Sequence, residues 1–343
     1  MKQLLNTVYV SDSEIYLALK GQNLNLVKSN ETVARVPLHN IESICTFGHQ
    51  GASPALMSEC MRQNISLTFF SGSGRFRGRV TGESNGNVTL RKQQYRISDD
   101  EVECARISRH MIMGKIFNSE QLLKRTMRDH ALRVNTERVG DTVKRLKESR
   151  KMLGDCCELE TLRGIEGQAA SAYFNVFDEC ILQQKEVFSF RSRNRRPPLD
   201  PVNALLSFAY SLLAAECAAA LEGVGLDSYV GFLHRDRPGR TSLALDLMEE
   251  LRPIIADRFV LKLINRQQIN PDDFVVKENK AVVLKDDTRR SFLQLWQKEK
   301  QETFTHPFLK EKIQWGLAPH AQSLLLARHL RGDLEAYPPI LIR

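Results

Sequence analysis

Through roughly the first ninety residues, apolar and polar positions alternate in short runs, the period of strands with one buried face. The runs NTVYV, EIYLALK, NLNLVK, ETVARVPL, ESICTF, SLTFF, RFRGRV and NVTLRKQQYR predict strands. The clusters KGQN, KSNE, SGSG and SNGN between them predict turns. One helix interrupts the series at SPALMSECMRQN, with Ser53 as its N-cap and Pro54 at the first helical position. SGSG is followed by no Gly-Lys-Ser/Thr and its flanks alternate, so it reads as a hairpin turn and not as a phosphate loop.

After RISDDEVECARI the apolar period lengthens from two to about 3.6 and helical patterns continue to the end of the chain. Ser98 or Asp99 is the expected cap of the first of these helices. LDPVNALLSFAYSLL opens another, with Asp200 as cap and Pro201 in the first position. Its sides are nearly all apolar, which predicts a place in the middle of a bundle. The apolar run from Ala204 to Leu221 is interrupted by Glu216 and contains Ser207, so it reads as a buried helix and not as a membrane span. The predicted architecture is α+β: a small β-rich N-terminal domain over 1–97, then a larger all-α domain over 98–343. A chain of 343 residues favours two cores over one.

Charge narrows the range of partners. Lys and Arg exceed Asp and Glu by 49 to 41, a formal charge of +8. The excess is concentrated: ten basic against four acidic residues from Lys124 to Lys151, six against one from Arg75 to Arg96, and four arginines in RSRNRRPP. This pattern favours a polyanion such as nucleic acid. The seven cysteines form no CxxC pair, as expected of reduced thiols in a cytoplasmic protein, and MKQLLNTVYV lacks the apolar core of a signal peptide.

Candidate chemistry comes from three places. In GFLHRDRPGRTSLALDLMEELRP, a helix capped by Thr241 or Ser242 has an apolar stripe of Ala244, Leu247, Met248 and Leu251. Asp246, Glu249 and Glu250 stand beside that stripe at contact spacing, a pattern that alone describes a solvated acidic face more readily than a cation site. His234 lies where an apolar segment runs into a charged loop, and Glu166 is flanked by Gly164 and Gly167, which would let another backbone approach. Taken together, Glu166, His234, Asp246 and Glu249 would offer mostly oxygen donors and one imidazole, suited to Mg²⁺ or Mn²⁺.

These segments also resemble a known family. RGIEGQAA, NRRPPLDPVNALLSFAYSLL, VGFLHRDRPGRTSLALDLMEELRP and the opening MKQLLNTVYV are similar to the CRISPR-associated integrase, the catalytic subunit of the spacer-acquisition complex, and look most like its type I-C form. The resemblance implies a β-rich domain followed by a helical catalytic domain. It implies Mn²⁺ or Mg²⁺ on Glu166, His234 and Glu249, with Asp246 as a supporting carboxylate. Glu249 stands where some members have Asp. The implied activity is that of a metal-dependent DNA endonuclease and strand transferase, in which a 3′-hydroxyl of captured double-stranded DNA attacks the CRISPR repeat. The implied assembly is a homodimer joined by a small second acquisition protein, with no membrane. Arg191, Arg193, Arg195, Arg196, Arg237 and Arg240 are the expected phosphate contacts. The alternatives are a metal nuclease for branched or single-stranded nucleic acid that does not integrate, and a non-catalytic DNA-binding module.

Overall fold

The computed structural model describes residues 6–72, 74–82, 88–154, 156 and 158–343. The first five residues, the SNGN turn and Cys157 lie outside them. The chain forms two compact units: Met1–Asn85 with Leu284–Thr303 and Gln314–Leu317, and Gly86–Val283 with Phe304–Ile313 and Ala318–Arg343.

Seven of the expected strands form in the first unit. They are β1 (Thr7–Val10), β2 (Tyr16–Lys20), β3 (Asn23–Lys28), β4 (Glu31–Pro37), β5 (Ser43–Phe47), β6 (Ser66–Phe70) and β7 (Phe76–Val80). A sheet of order β1-β5-β6-β7 is parallel except for the last pair, and a second sheet of order β2-β3-β4 is antiparallel. The turn between β3 and β4 places Ser29 at φ 49° and Asn30 at φ 66°. Such a pair of left-handed residues suits the right-handed twist of a two-residue hairpin. Helix α1 (Pro54–Arg62) begins as expected, with Ser53 Oγ accepting the Leu56 N–H at 3.2 Å. It contributes Leu56 and Cys60 to a core shared with Leu17, Leu24, Ile44 and Leu67.

The segment NVTLRKQQYR departs from expectation, forming helix α2 (Val88–Ser98) within the second unit. Leu90 and Gln94 are its buried positions, four apart, which is helical spacing. Gln94 is fully buried and donates to the carbonyls of Asp227 and Val230, both at 2.8 Å, while accepting the Asp227 N–H at 2.9 Å. Those long-range bonds favour the helix over the strand that local alternation suggested.

The second unit is built around α3 (Glu101–Asp129), which packs against α4 (Thr136–Met152), α5 (Leu159–Asn175) and α7 (Ser242–Leu251). Asp100 caps α3, not Ser98 or Asp99; its Oδ1 accepts the N–H groups of Val102 and Glu103. Helix α6 (Pro201–Gly223) is capped by Asp200, whose Oδ1 accepts the Asn203 N–H at 2.8 Å. It is long and apolar enough to cross a membrane, yet it is the core helix of this unit, packing against α7, α8 (Arg258–Asn265) and α10 (Ala318–Leu330).

The predicted division at residue 97 differs from the observed units in a second respect. Helix α9 (Asp286–Gln301), expected in the all-α domain, belongs to the first unit. Its buried Arg289 donates to the carbonyls of Gly72 and Ser11 and lies over the Phe47 ring, 5.8 Å from the centroid. The short strands β8 (Phe274–Val276), β9 (Val282–Leu284), β10 (Thr303–Thr305) and β11 (Lys312–Gln314) form two pairs late in the chain. The broad plan holds: a small β-rich N-terminal region precedes a larger helical domain.

Candidate active site

The acidic face of α7 is not solvated. Asp246 and Glu250 are wholly buried and Glu249 is 2 % exposed, so the helix is enclosed on both its apolar and its acidic sides. Thr241 occupies the N-cap position without a side-chain cap bond, and the Ser242 hydroxyl donates instead to the Arg235 carbonyl at 3.2 Å. Buried carboxylates must find partners or give up their charge. Each of the three finds a different set.

Asp246 serves the loop before the helix. It accepts the N–H groups of Phe232 at 2.7 Å, Leu233 at 3.0 Å and His234 at 3.0 Å. The His234 ring lies against the same carboxylate, Nδ1 to Oδ1 at 2.5 Å. A carboxylate with these donors accepts, so Nδ1 carries the proton and Nε2 presents its lone pair. That nitrogen faces Glu249 Oε1 at 3.8 Å, beyond hydrogen-bonding reach. Gly231 makes the arrangement possible: a Cβ there would stand 2.8 Å from Asp246 Oδ2 and 2.8 Å from Ser242 Cβ.

Glu249 lies between two cations. Arg252 Nη1 donates to its Oε1 at 2.5 Å, and Lys115 Nζ of α3 is 2.7 Å from its Oε2. Burial opposes its charge, but Arg252 and Lys115 outweigh that and hold the carboxyl far below its usual range. Lys115 also donates to Glu166 of α5, so one ammonium bridges Glu166 and Glu249. Burial works against that ammonium too, and Glu249 and Glu166 together raise its pKa. Lys115 and Arg252 are site residues that the sequence reading missed; Lys115 lies in an ordinary helical pattern and no local signal marks it.

The helix of Glu166 is tied to the loop of His234 by Arg163, one turn before Glu166 on α5, which donates to the Leu233 carbonyl. Gly164 and Gly167 do not mark the close backbone crossing that was expected, since a Cβ on either would meet nothing within 4 Å. Their effect is to leave the surface beside Glu166 open.

After α7, Pro253 supplies no N–H, and the chain takes a π-helical turn over Arg252–Asp257. This turn directs Arg252 at Glu249 and carries Asp257, which accepts from Tyr210 at 2.6 Å and Tyr173 at 3.0 Å. Burial pushes Asp257 up to about 6 against those bonds. Lys115, Glu166, Arg193, Arg195, Arg252 and Tyr210 are among the residues lining a cavity of about 410 Å³.

The arginines divide into two groups. Arg193 points inward, donating to Asn203 Oδ1 at 2.5 Å and Ser207 Oγ at 3.1 Å, with its guanidinium 5.2 Å from the Tyr210 ring centroid. The Arg240 pKa is lowered first by burial and then by the charges of Arg237, Arg195 and Arg196, against the opposing charge of Asp246. Arg191 is exposed.

The donors suit a hard divalent cation in kind: two carboxylates, and an imidazole whose free nitrogen faces one of them. Among the described residues, no three His, Cys, Asp or Glu side chains stand close enough to share an ion as placed, the ammonium of Lys115 being between the two carboxylates.

The fold and the site define a protein with a β-rich N-terminal region and a helical domain that holds buried carboxylates, an imidazole and clustered arginines. The family model for the CRISPR associated protein Cas1 matches residues 8–298. The chain belongs to that family. It is 47% identical to "CRISPR-associated endonuclease Cas1 2" of Rhodospirillum rubrum over 99% of both chains, and 43% identical to "CRISPR-associated endonuclease Cas1 1" of Chlorobaculum tepidum over 100% of both. Its fold matches a casposase bound to integration product, with TM-score 0.83 and 23% identity over 99% of this chain and 95% of that one. It also matches a Cas1 protein from Thermotoga maritima, with TM-score 0.81 and 23% identity over 96% and 97%.

Proposed function

We propose that this protein is a DNA endonuclease and integrase of CRISPR spacer acquisition, using Mn²⁺ or Mg²⁺ held by Glu166, Glu249 and His234. Family membership supports the activity. The observation that carries the residue assignment is the gathering of Glu166 and Glu249 on one ammonium, with His234 Nε2 turned toward Glu249. When bound, the cation would polarise a non-bridging phosphate oxygen and lower the pKa of an attacking hydroxyl or water.

The chain's own residues supply the rest. Asp246 holds His234 in one tautomer and one orientation, a positioning task and not a contact with DNA. Arg252 and Lys115 keep Glu249 ionised. Arg195, Arg196, Arg237 and Arg240 hold the phosphate backbone, while Arg193 braces the loop that presents them. In strand transfer the 3′-hydroxyl oxygen of the captured fragment bonds to phosphorus and the P–O3′ bond of the target strand breaks. Water as nucleophile gives cleavage instead.

The assembly we propose is a homodimer with a small Cas2-type partner. A chain of the same fold stands in a solved Cas6-RT-Cas1–Cas2 complex, which supports that partner. The type I-C assignment rests only on the similarity of the motifs around Glu166, Asp200 and His234 and of the opening MKQLLNTVYV. The test is strand transfer of a 3′-hydroxyl duplex with Mn²⁺ and the partner, with Glu166→Ala and His234→Ala alongside. Joined products that vanish in both variants are expected. Cleavage without joining would favour the narrower nuclease, and binding that needs no divalent ion, without cleavage, the DNA-binding module.

A further inference from the structure

Glu249 has a neighbour that the reaction above does not use. Glu250 is wholly buried and faces the other side of α7, toward the segment Tyr337–Ile342. Its Oε1 accepts from the Tyr337 hydroxyl and from Gln322 Nε2 at 2.9 Å, and its Oε2 accepts the Ile340 N–H at 2.7 Å. Asn118 of α3 completes the joint. Its amide donates to the backbone carbonyls of Glu250 at 2.9 Å and Ile340 at 2.8 Å, and its oxygen accepts the Ile342 N–H at 3.0 Å. Tyr337 and Ile340 are fully buried.

The joint and the catalytic pair meet at consecutive residues of α3. Lys115 pairs with Glu249; Gly114 gives Glu250 its room, since a Cβ there would stand 2.8 Å from Glu250 Cβ and 3.2 Å from Pro339 Cβ. A shift of α7 along α3 would therefore break the Glu250 joint and move Glu249 off Lys115 together. Bonds of this kind, saturated and buried, specify one register.

We infer that Glu250 is a positioning residue, and that the Tyr337–Ile342 segment is a strap that sets the register of α7 and through it the placement of Glu249. The inference rests on the assignment of Glu249 proposed above. Misplacement of a reacting constellation by about 1 Å can lower turnover on the order of 100-fold.

The experiment uses the full chain with two mild variants. Tyr337→Phe keeps the ring and removes the hydroxyl donor; Glu250→Gln keeps the shape and sets an amide against the Ile340 N–H. Amide exchange of the α7 peptide, Mn²⁺ affinity by calorimetry, and kcat and KM for DNA cleavage are read on both, with thermal unfolding as the control for folding. The expected result is cooperative unfolding, faster exchange in α7 but not in α5, weaker Mn²⁺ binding, and a lower kcat at unchanged KM. Exchange in α7 and Mn²⁺ affinity both matching the unsubstituted protein would overturn the strap. Should the unsubstituted protein itself neither bind Mn²⁺ nor cut DNA, the functional reading fails, and α7 exchange alone decides whether the strap sets the helix.

Discussion

Arg163 donates from both Nε and Nη2 to the carbonyl oxygen of Leu233, at 2.9 and 2.6 Å, across 70 positions of sequence. The same guanidinium pairs with Glu160, which also holds Arg235. This clasp joins the helix of Glu166 to the loop of His234. Arg163→Met keeps the aliphatic stem and removes the forked donor. Loss of charged hydrogen bonds of this kind lowers stability by about 1.5–3 kcal/mol. Urea unfolding should show that loss, and DNA cleavage should fall further than stability does, because the loop carrying His234 is freed.

Asp246→Asn tests the orientation of the imidazole. An amide cannot accept from three backbone N–H groups and the ring together, so His234 loses its fixed tautomer. Partners of this type are worth about 10–100-fold in metal affinity or activity. Mn²⁺ calorimetry and cleavage rates should both fall within that range. Equal binding and turnover in the variant would show that Asp246 supports the loop only.

Lys115→Met leaves Glu166 and Glu249 facing each other with Arg252 as the remaining cation at the pair. Removing one partner of a buried ion pair lowers stability by about 3–5 kcal/mol. A divalent ion should restore much of it, so added Mn²⁺ should raise the melting temperature more in this variant than in the unsubstituted protein. A variant whose melting temperature ignores Mn²⁺ would reject the metal site.

Stability should depend on pH through two raised carboxyls. Burial pushes Glu250 up to about 7 from 4.5 and Asp257 up to about 6 from 3.8. Below the lower value of each pair both states are protonated. Between the two values the unfolded chain has released the proton and the folded chain has kept it, so stability falls as pH rises. The decline runs from about pH 4 to 7 and then levels off. Glu249 acts in the opposite sense, its contribution being lost as pH falls from 4.5 toward 2. The half-buried His110 and the buried His306, whose pKa values burial lowers from 6.5, act against this slope below pH 6.5. The carboxyl contribution is isolated by comparison: the change in urea midpoint between pH 4 and 6 should be less downward in Asp257→Asn than in the unsubstituted protein.

The arginines separate by salt dependence. Replacing Arg195 and Arg240 by Ala should weaken DNA binding and reduce the slope of log K against log salt by about 2 in magnitude, one for each phosphate that is no longer neutralised. Arg193→Ala should lower the melting temperature, because its bonds to Asn203 and Ser207 brace the start of α6. Fluorescence anisotropy over a salt series, with thermal unfolding beside it, checks both.

Much of this was legible in residue order because it is short-range. Asp200 followed by Pro201 starts α6, Ser53 followed by Pro54 starts α1, and short runs rich in branched and aromatic residues between turn clusters mark seven strands. Each depends on a few neighbouring dihedrals and one cap bond. The motifs around Glu166 and His234 identify candidate residues for the same reason: they are contiguous. NVTLRKQQYR shows the boundary of such reasoning, since Gln94 takes its partners from Asp227 and Val230 and those bonds select the helix.

Local pattern thus determined most of the strands and helices, and which acids and histidine to examine. Tertiary structure alone decided that the acidic side of α7 is buried, that Lys115 stands between Glu166 and Glu249, that Glu250 turns away to hold another segment, and that α9 joins the β-rich unit. The reason is physical. An ion pair between α3 and α5 spans 51 positions, and its energy comes from shared burial, a quantity that no short window of residues contains.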